Sequence, residues 1–120
     1  MDSPIEIVTR YYQAFDNHRD GWQELVADDI QFDAPIQQAK GKRDFVALTQ
    51  QFLQFHKETR LLERFERGDS VCSIFRFVMD TPAGQPLTCE VAEWTRVTEG
   101  RISNIKLLYD PRGFAKAFCL

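Results

Sequence analysis

The chain has 120 residues and a net charge of −3 at neutral pH, with its 15 basic side chains scattered among 18 acidic ones. That length suits one domain, residues 1–120, with a core large enough to fold unaided. The charge argues against nucleic acid, whose phosphates need a basic stripe.

Hydrophobic residues make up 43% and charged residues 28% of the chain, the balance of an ordinary globular protein. No apolar run reaches membrane-spanning length, and no signal-peptide pattern precedes the first predicted helix. Cys72, Cys89 and Cys119 are odd in number and lack metal or redox spacing, which suits a reducing compartment. The expectation is a cytoplasmic protein with no cofactor, no metal, no membrane and no nucleic acid as partner.

Ser3-Pro4-Ile5-Glu6 reads as a helix start: serine as N-cap, proline in the first turn, glutamate completing a capping box. Ile5, Val8, Tyr12 and Phe15, with Tyr11 beside them, give that helix an apolar, aromatic face. Asp20 can cap a short second helix carrying Trp22, Leu25 and Val26. Ile30 to Asp33 alternates as a strand does, until Ala34-Pro35 stops it. A polar segment, Gln37 to Gly41, leads into a third helix from about Lys42 to His56, which buries Phe45, Leu48, Thr49, Phe52 and Leu53.

Period two takes over beyond Glu58. Strands are predicted at Thr59–Glu66 and Ser70–Met79 around Arg67-Gly68-Asp69, then at Leu87–Thr98 and Arg101–Tyr109 around Glu99-Gly100. The breakers in Asp80 to Pro86 form a longer loop, Pro111 stops the last strand, and Gly113–Leu120 is read as one or two helical turns. The sum is an α+β domain with helices on one face of an antiparallel meander.

In order and spacing, several segments resemble the NTF2-like superfamily, in particular SnoaL-like and ketosteroid-isomerase-like proteins. They are Thr9 to Phe15, Leu25 to Asp29, Phe32-Asp33-Ala34-Pro35, Gly41, Glu93 to Ile105, and Leu108-Tyr109-Asp110. The resemblance implies a cystatin-like cone, in which a curved antiparallel sheet wraps around three N-terminal helices and leaves an internal pocket. It also implies frequent homodimers and functions ranging from isomerases and cyclases to non-catalytic binding.

Residue by residue, the oxyanion-holding tyrosine of the ketosteroid isomerases falls on Tyr11, and their strand acid, lengthened by a methylene, on Glu93. Their proton-moving aspartate falls on Ala34 and their second tyrosine on Thr49. Asp33 is adjacent to the missing base, but one residue along a strand points to the other face. Authentic ketosteroid isomerisation is therefore not expected.

Glu93 also stands out by alternation alone. It shares a strand face with Leu87, Cys89, Val91, Thr95 and Val97 and is the lone charge there. Buried without a cation, it would have a raised pKa and could donate a hydrogen bond or proton. The competing reading is a structural glutamate paired with an arginine or reaching the pocket rim. Tyr11 likewise reads either as a pocket hydroxyl or as core alone.

Phe32, Ala34, Leu48, Thr49, Phe52, Val91, Thr95, Ile105, Leu107 and Tyr109 are the expected ligand-binding positions. Asp110 reads as a cap, His56 as a helix-end residue favoured by the helix dipole, and His18 as solvated. Trp94, with Ala92, Glu90 and Arg96, faces the other side of its strand and is expected, with Leu108, to form a homodimer interface.

The functional expectation is a pocket protein for a small apolar molecule, with cofactor-free proton-transfer chemistry of isomerase, cyclase or hydratase/hydrolase type through Glu93 and Tyr11. The alternative is a non-catalytic hydrophobic-ligand-binding or dimeric regulatory module.

Overall fold

A computed structural model describes residues 2–120. Helix α1 spans Pro4–Asp16, with Pro4 in its first turn and the Ser3 hydroxyl accepting from the Glu6 amide at 3.4 Å. Its buried face carries Ile7, Val8, Tyr11, Tyr12 and Phe15. A 3-10 helix, Asp20–Leu25, follows and buries Trp22. Strand β1, Val26–Asp33, begins four residues before the alternation suggested.

Next come strand β2 (Gln38–Lys40), helix α2 (Lys42–Leu53), and strands β3 (His56–Arg67), β4 (Ser70–Asp80), β5 (Pro86–Thr98) and β6 (Arg101–Leu108), with helix α3 (Arg112–Ala117) last. Among the described residues no helix is long and apolar enough to cross a membrane.

The six strands form one open sheet in the order β2-β1-β6-β5-β4-β3. The expected meander runs from β3 to β6, but the sheet is mixed, because β1 lies parallel to β6. Only one helix and the 3-10 turn precede the sheet; α2 enters after β2. Irregularities between Leu61 and Glu63 and between Arg96 and Val97 add local twist. Along β5, Val91, Glu93, Thr95 and Val97 are buried while Glu90, Trp94 and Arg96 are exposed, so one sheet face packs on the helices and the other faces solvent.

Two expectations are corrected. The segment read as a polar connector contains β2, whose Ala39 is buried and pairs with Phe32. Three residues are too few to show a period. The third helix does not reach His56; it ends at Leu53, and His56 opens β3. The sheet claims that backbone, since the Asp80 amide donates to the Phe55 carbonyl at 2.8 Å.

Gly41 makes the entry to α2 possible. Its φ is +88°, which a side chain rarely adopts, while its amide donates to the Ile30 carbonyl at 2.7 Å. The turn ties α2 to β1 and closes one side of the site.

Candidate functional site

Consecutive residues on a helix stand 100° apart, so a wide apolar face can hold both Tyr11 and Tyr12. Both are buried on α1, with rings edge to face at 5.1 Å between centroids. The register of β5 puts Glu93 beneath them, opposite Ser73 of β4. It is Tyr12, not Tyr11, whose hydroxyl donates to Glu93, at Oε2. The other carboxylate oxygen accepts from the Thr95 hydroxyl at 2.8 Å.

A half-buried cation stands behind this pair. Arg64 of β3 lies over the Tyr12 ring at 5.2 Å, donates from Nε to the Ser73 hydroxyl at 2.8 Å and reaches the Thr9 hydroxyl at 3.3 Å. Desolvation dominates the electrostatics. Burial pushes the Glu93 pKa up, and the hydrogen bonds from Tyr12 and Thr95 and the Arg64 charge offset only part of that. Both phenols are held well above their ordinary range, by burial first and the Glu93 charge second. Tyr11 and Tyr12 therefore stay protonated and able to donate. Tyr12 spends its proton on Glu93. Among the described residues no side-chain hydrogen bond contributes to the Tyr11 shift, so its hydroxyl is left unengaged.

These groups open into a cavity of about 270 Å³. Its wall includes Phe32, Leu48, Thr49, Phe52, Val91, Ile105, Leu107 and Tyr109 together with Tyr11 and Glu93. Ala34 and Thr95 lie elsewhere. Ala34 is buried in the β1–β2 turn, where its amide donates to the Gln37 carbonyl at 2.8 Å. Thr95 sits behind Glu93 and holds it. Asp33 is exposed and lines a shallow depression on the outer face with Trp94 and Lys106, so it cannot replace the base position at Ala34.

The sequence reading missed Tyr12 as the acid's partner, Arg64 behind it, and the wall residues Phe15, Phe45, Phe55, Phe77, Phe114 and Phe118. The aromatic count hinted at the phenylalanines. Nothing in the pattern around Arg64 marked it, because the irregularity at Leu61–Glu63 shifts the alternation of β3.

The histidines form a separate cluster. The reading of His56 as a dipole-stabilised helix end gives way, while His18 is exposed as expected and its ring reaches back to His56. His56 is buried, with Nδ1 3.1 Å from Nε2 of His18, Nε2 2.8 Å from the Thr59 hydroxyl and 3.7 Å from the Asp16 carboxylate. Burial, then the neighbouring His18, lowers its pKa to about 4. Its ring packs against Phe15, Phe52 and Phe77, behind the cavity wall. Asp110 caps its own turn, accepting from the Arg112 amide at 3.1 Å, and the Arg112 guanidinium first and that amide second lower its pKa to about 2. Among the described residues no three His, Cys, Asp or Glu side chains converge as a metal site.

An open curved sheet closed over by helices, with an acid–tyrosine pair in the hollow between them, is an NTF2-like fold. Residues 8–105 match the SnoaL-like domain model, and the chain belongs to that family. An NTF2-like protein from Burkholderia thailandensis shares the fold at a TM-score of 0.86 and 21% identity, over 98% of each chain. A putative SnoaL-like polyketide cyclase from Jannaschia shares it at 0.82 and 17%, over 96% of this chain and 90% of that one. TerC, co-crystallized with polyporic acid, shares it at 0.81 and 16%, over 95% and 96%. At such identities the likeness is one of fold. No functionally curated relative matches the sequence.

Proposed function

We propose that this chain takes up a small, largely apolar molecule bearing at least one oxygen and orients it against Tyr11 and the Tyr12–Glu93 pair. The observation that carries the reading is the placement of a buried carboxyl beside the phenols Tyr11 and Tyr12 in the wall of a mostly apolar cavity, whose other polar groups include Gln37, Thr49, Gln51 and Tyr109. A few convergent polar groups in an apolar hollow are the usual form of a small-molecule site. The fold relative co-crystallized with polyporic acid supports a pocket of this kind.

Tyr11 stands beside Glu93 with its hydroxyl unengaged and would hold a ligand oxygen on which negative charge develops. Glu93, fixed by Tyr12 and Thr95 and disposed to hold a proton, would supply or receive it without a cofactor. Isomerisation, cyclisation and addition of water are the reactions such a pair serves. A second reading, non-catalytic binding, also has a specific observation in its favour. Glu93 is the only acidic or histidine side chain among the described residues of the cavity wall, and both its oxygens are already engaged.

Native mass spectrometry of the purified protein, followed by turnover assays on small ketones and epoxides, separates the two. A retained hydrophobe without turnover selects binding, and turnover lost in Glu93→Gln selects catalysis. Neither uptake nor turnover of any such compound would remove the pocket reading.

The dimer and the cytoplasm belong to the same proposal. Phe65, Trp94 and Leu108 are each about half exposed on the outer sheet face, at 50%, 49% and 53%, and Cys72, Ile74 and Ala92 pair between them. A second copy covering this patch would give an apolar centre with the rim charges Glu90 and Arg96. Light scattering at micromolar concentration should then show twice the chain mass, and Trp94→Asp should halve it; a monomeric wild type would rule the interface out. The cytoplasm, where three free thiols stay reduced, is the compartment we assign.

A further inference from the structure

The far mouth of the cavity is built differently from the rest. The cavity runs along β5 from Glu93 through Val91 to Cys89, roughly 13 Å at ~3.3 Å per residue. One step beyond lies Leu87, and Gly113 passes so near it that a Cβ there would sit 3.7 Å from Leu87 Cδ1. Helix α3 therefore crosses the end opposite Glu93.

Its i, i+4 pair Phe114 and Phe118 turns inward to line the cavity, joined by Leu120, while Arg112 and Lys116 face solvent. Phe118 meets Phe55 at 5.0 Å, Phe114 meets Tyr109 at 6.2 Å, and the two phenylalanines meet each other at 4.7 Å.

What holds this segment is local. Ala115 donates to Pro111, Phe118 to Phe114 and Leu120 to Ala115, and Arg112 pairs with Asp110 two residues away. Among the described residues no hydrogen bond runs from 111–120 to the body of the fold, and no residue of α3 is buried. Beneath it, β4 and β5 pair without interruption from Ser70↔Arg96 to Asp80↔Pro86. Segments with few buried groups and only local hydrogen bonds open at low free energy, independently of the core.

We propose that residues Arg112–Leu120 are a hinged aromatic lid, turning at Asp110–Pro111, that admits the ligand at the end away from Glu93. Phe114 and Phe118 then set the length the site accepts: the oxygen-bearing head lies at Tyr11 and Glu93, and an apolar tail ends under the lid. The substrate class is a rod- or plate-shaped molecule with an oxygen at one end, entering head first. This rests on the pocket reading above.

The test joins amide exchange to rapid mixing, with 2-naphthol as a small aromatic probe carrying one hydroxyl. In the free protein the amides of Ala115, Phe118 and Leu120 should exchange at least about a thousandfold faster than those of central β5, and 2-naphthol should slow them. Phe118→Ala should raise the association rate of 2-naphthol about tenfold and its dissociation rate by at least as much. Phe52→Ala, a fixed-wall control, should raise dissociation alone.

Exchange at 115–120 as slow as in β5 overturns the lid whatever 2-naphthol does. A Phe118→Ala effect confined to dissociation makes Phe118 wall and overturns it too. Failure of 2-naphthol and of its longer 6-alkyl homologues to bind the wild type, with the segment exchanging fast, overturns the pocket reading and with it the lid's purpose.

Discussion

Glu93 and His56 are both buried polar groups on the inner side of the sheet, at 3% and 5% exposure, and the same desolvation acts on each. It pushes the acid's pKa up and the base's down to about 4, so both are biased towards neutrality. They differ in their surroundings. Both His56 ring nitrogens are engaged, by His18 and Thr59, and the ring is sealed behind Phe15, Phe52 and Phe77. Glu93 is engaged too, but in the cavity wall, beside a phenol left without a protein partner. A buried ionisable group becomes a candidate site when unspent hydrogen-bonding capacity faces open space next to it. A perturbed pKa alone does not distinguish the two.

The largest effect separating them should come from Glu93. Replacement by leucine leaves the Tyr12 and Thr95 hydroxyls buried without their acceptor and should cost about 3 kcal/mol of stability, since each orphaned buried group costs roughly 1–3 kcal/mol. Glu93→Gln keeps an acceptor and should cost about 1 kcal/mol or less near neutral pH. Urea denaturation of the two variants measures the gap. Equal losses would mean that the bonds to Tyr12 and Thr95 contribute little.

The pH dependence should have opposite signs at the two places. His56 has a depressed folded pKa, so between 6.5 and about 4 the unfolded chain binds the extra proton and stability falls as pH falls. Asp16, raised by burial, holds its proton more tightly when folded and partly offsets that loss at the acid end; His18 faces the same ring, and Lys57 and Asp80 pair nearby. Glu93, also raised, contributes stability that is full below the ordinary glutamate range and is lost as pH rises through its folded pKa. Thermal unfolding across this range should show a slope that flattens in His56→Leu. In Glu93→Gln the acidic loss should instead become steeper, because the opposing contribution is gone. An unchanged slope in His56→Leu would assign the acid sensitivity to other groups.

How much of this was legible follows from the reach of each signal. Glu93 was readable because β5 alternates without a break through Val91, Glu93 and Thr95, and burial obeys that parity. The serine cap of α1 and the hairpin turns were readable for the same reason: their chemistry lies within four residues. His56 was misplaced because helix propensity does not stop at Leu53; what stops it is the amide of Asp80, far along the chain, donating to the Phe55 carbonyl. The choice between Tyr11 and Tyr12 depends on how far α1 is rotated over β5. Adjacent tyrosines on one apolar face leave that rotation open, and only the packing of Phe75 against Tyr12 and of Trp22 against Tyr11 settles it.

That choice carries the finest test of the comparison. Tyr12→Phe removes the donor to Glu93 and one of the groups restraining its raised pKa, so it should cost about 1–2 kcal/mol near neutral pH, for the lost bond and the buried carboxyl oxygen left without its donor. Tyr11→Phe removes a hydroxyl with no protein partner and should leave stability within about 0.5 kcal/mol of wild type. On binding the order reverses. If Tyr11 donates to a ligand oxygen, its loss should weaken 2-naphthol about tenfold, or roughly 1.4 kcal/mol, while naphthalene binds both proteins alike. Tyr12→Phe should reduce the affinities for the two compounds by similar factors, because its proton already belongs to Glu93. Titration of the two ligands against the two variants gives four affinities, and their pattern decides the matter. A Tyr11→Phe protein that loses naphthalene as much as 2-naphthol would make Tyr11 an aromatic wall residue, and the donor role would pass to a protonated Glu93.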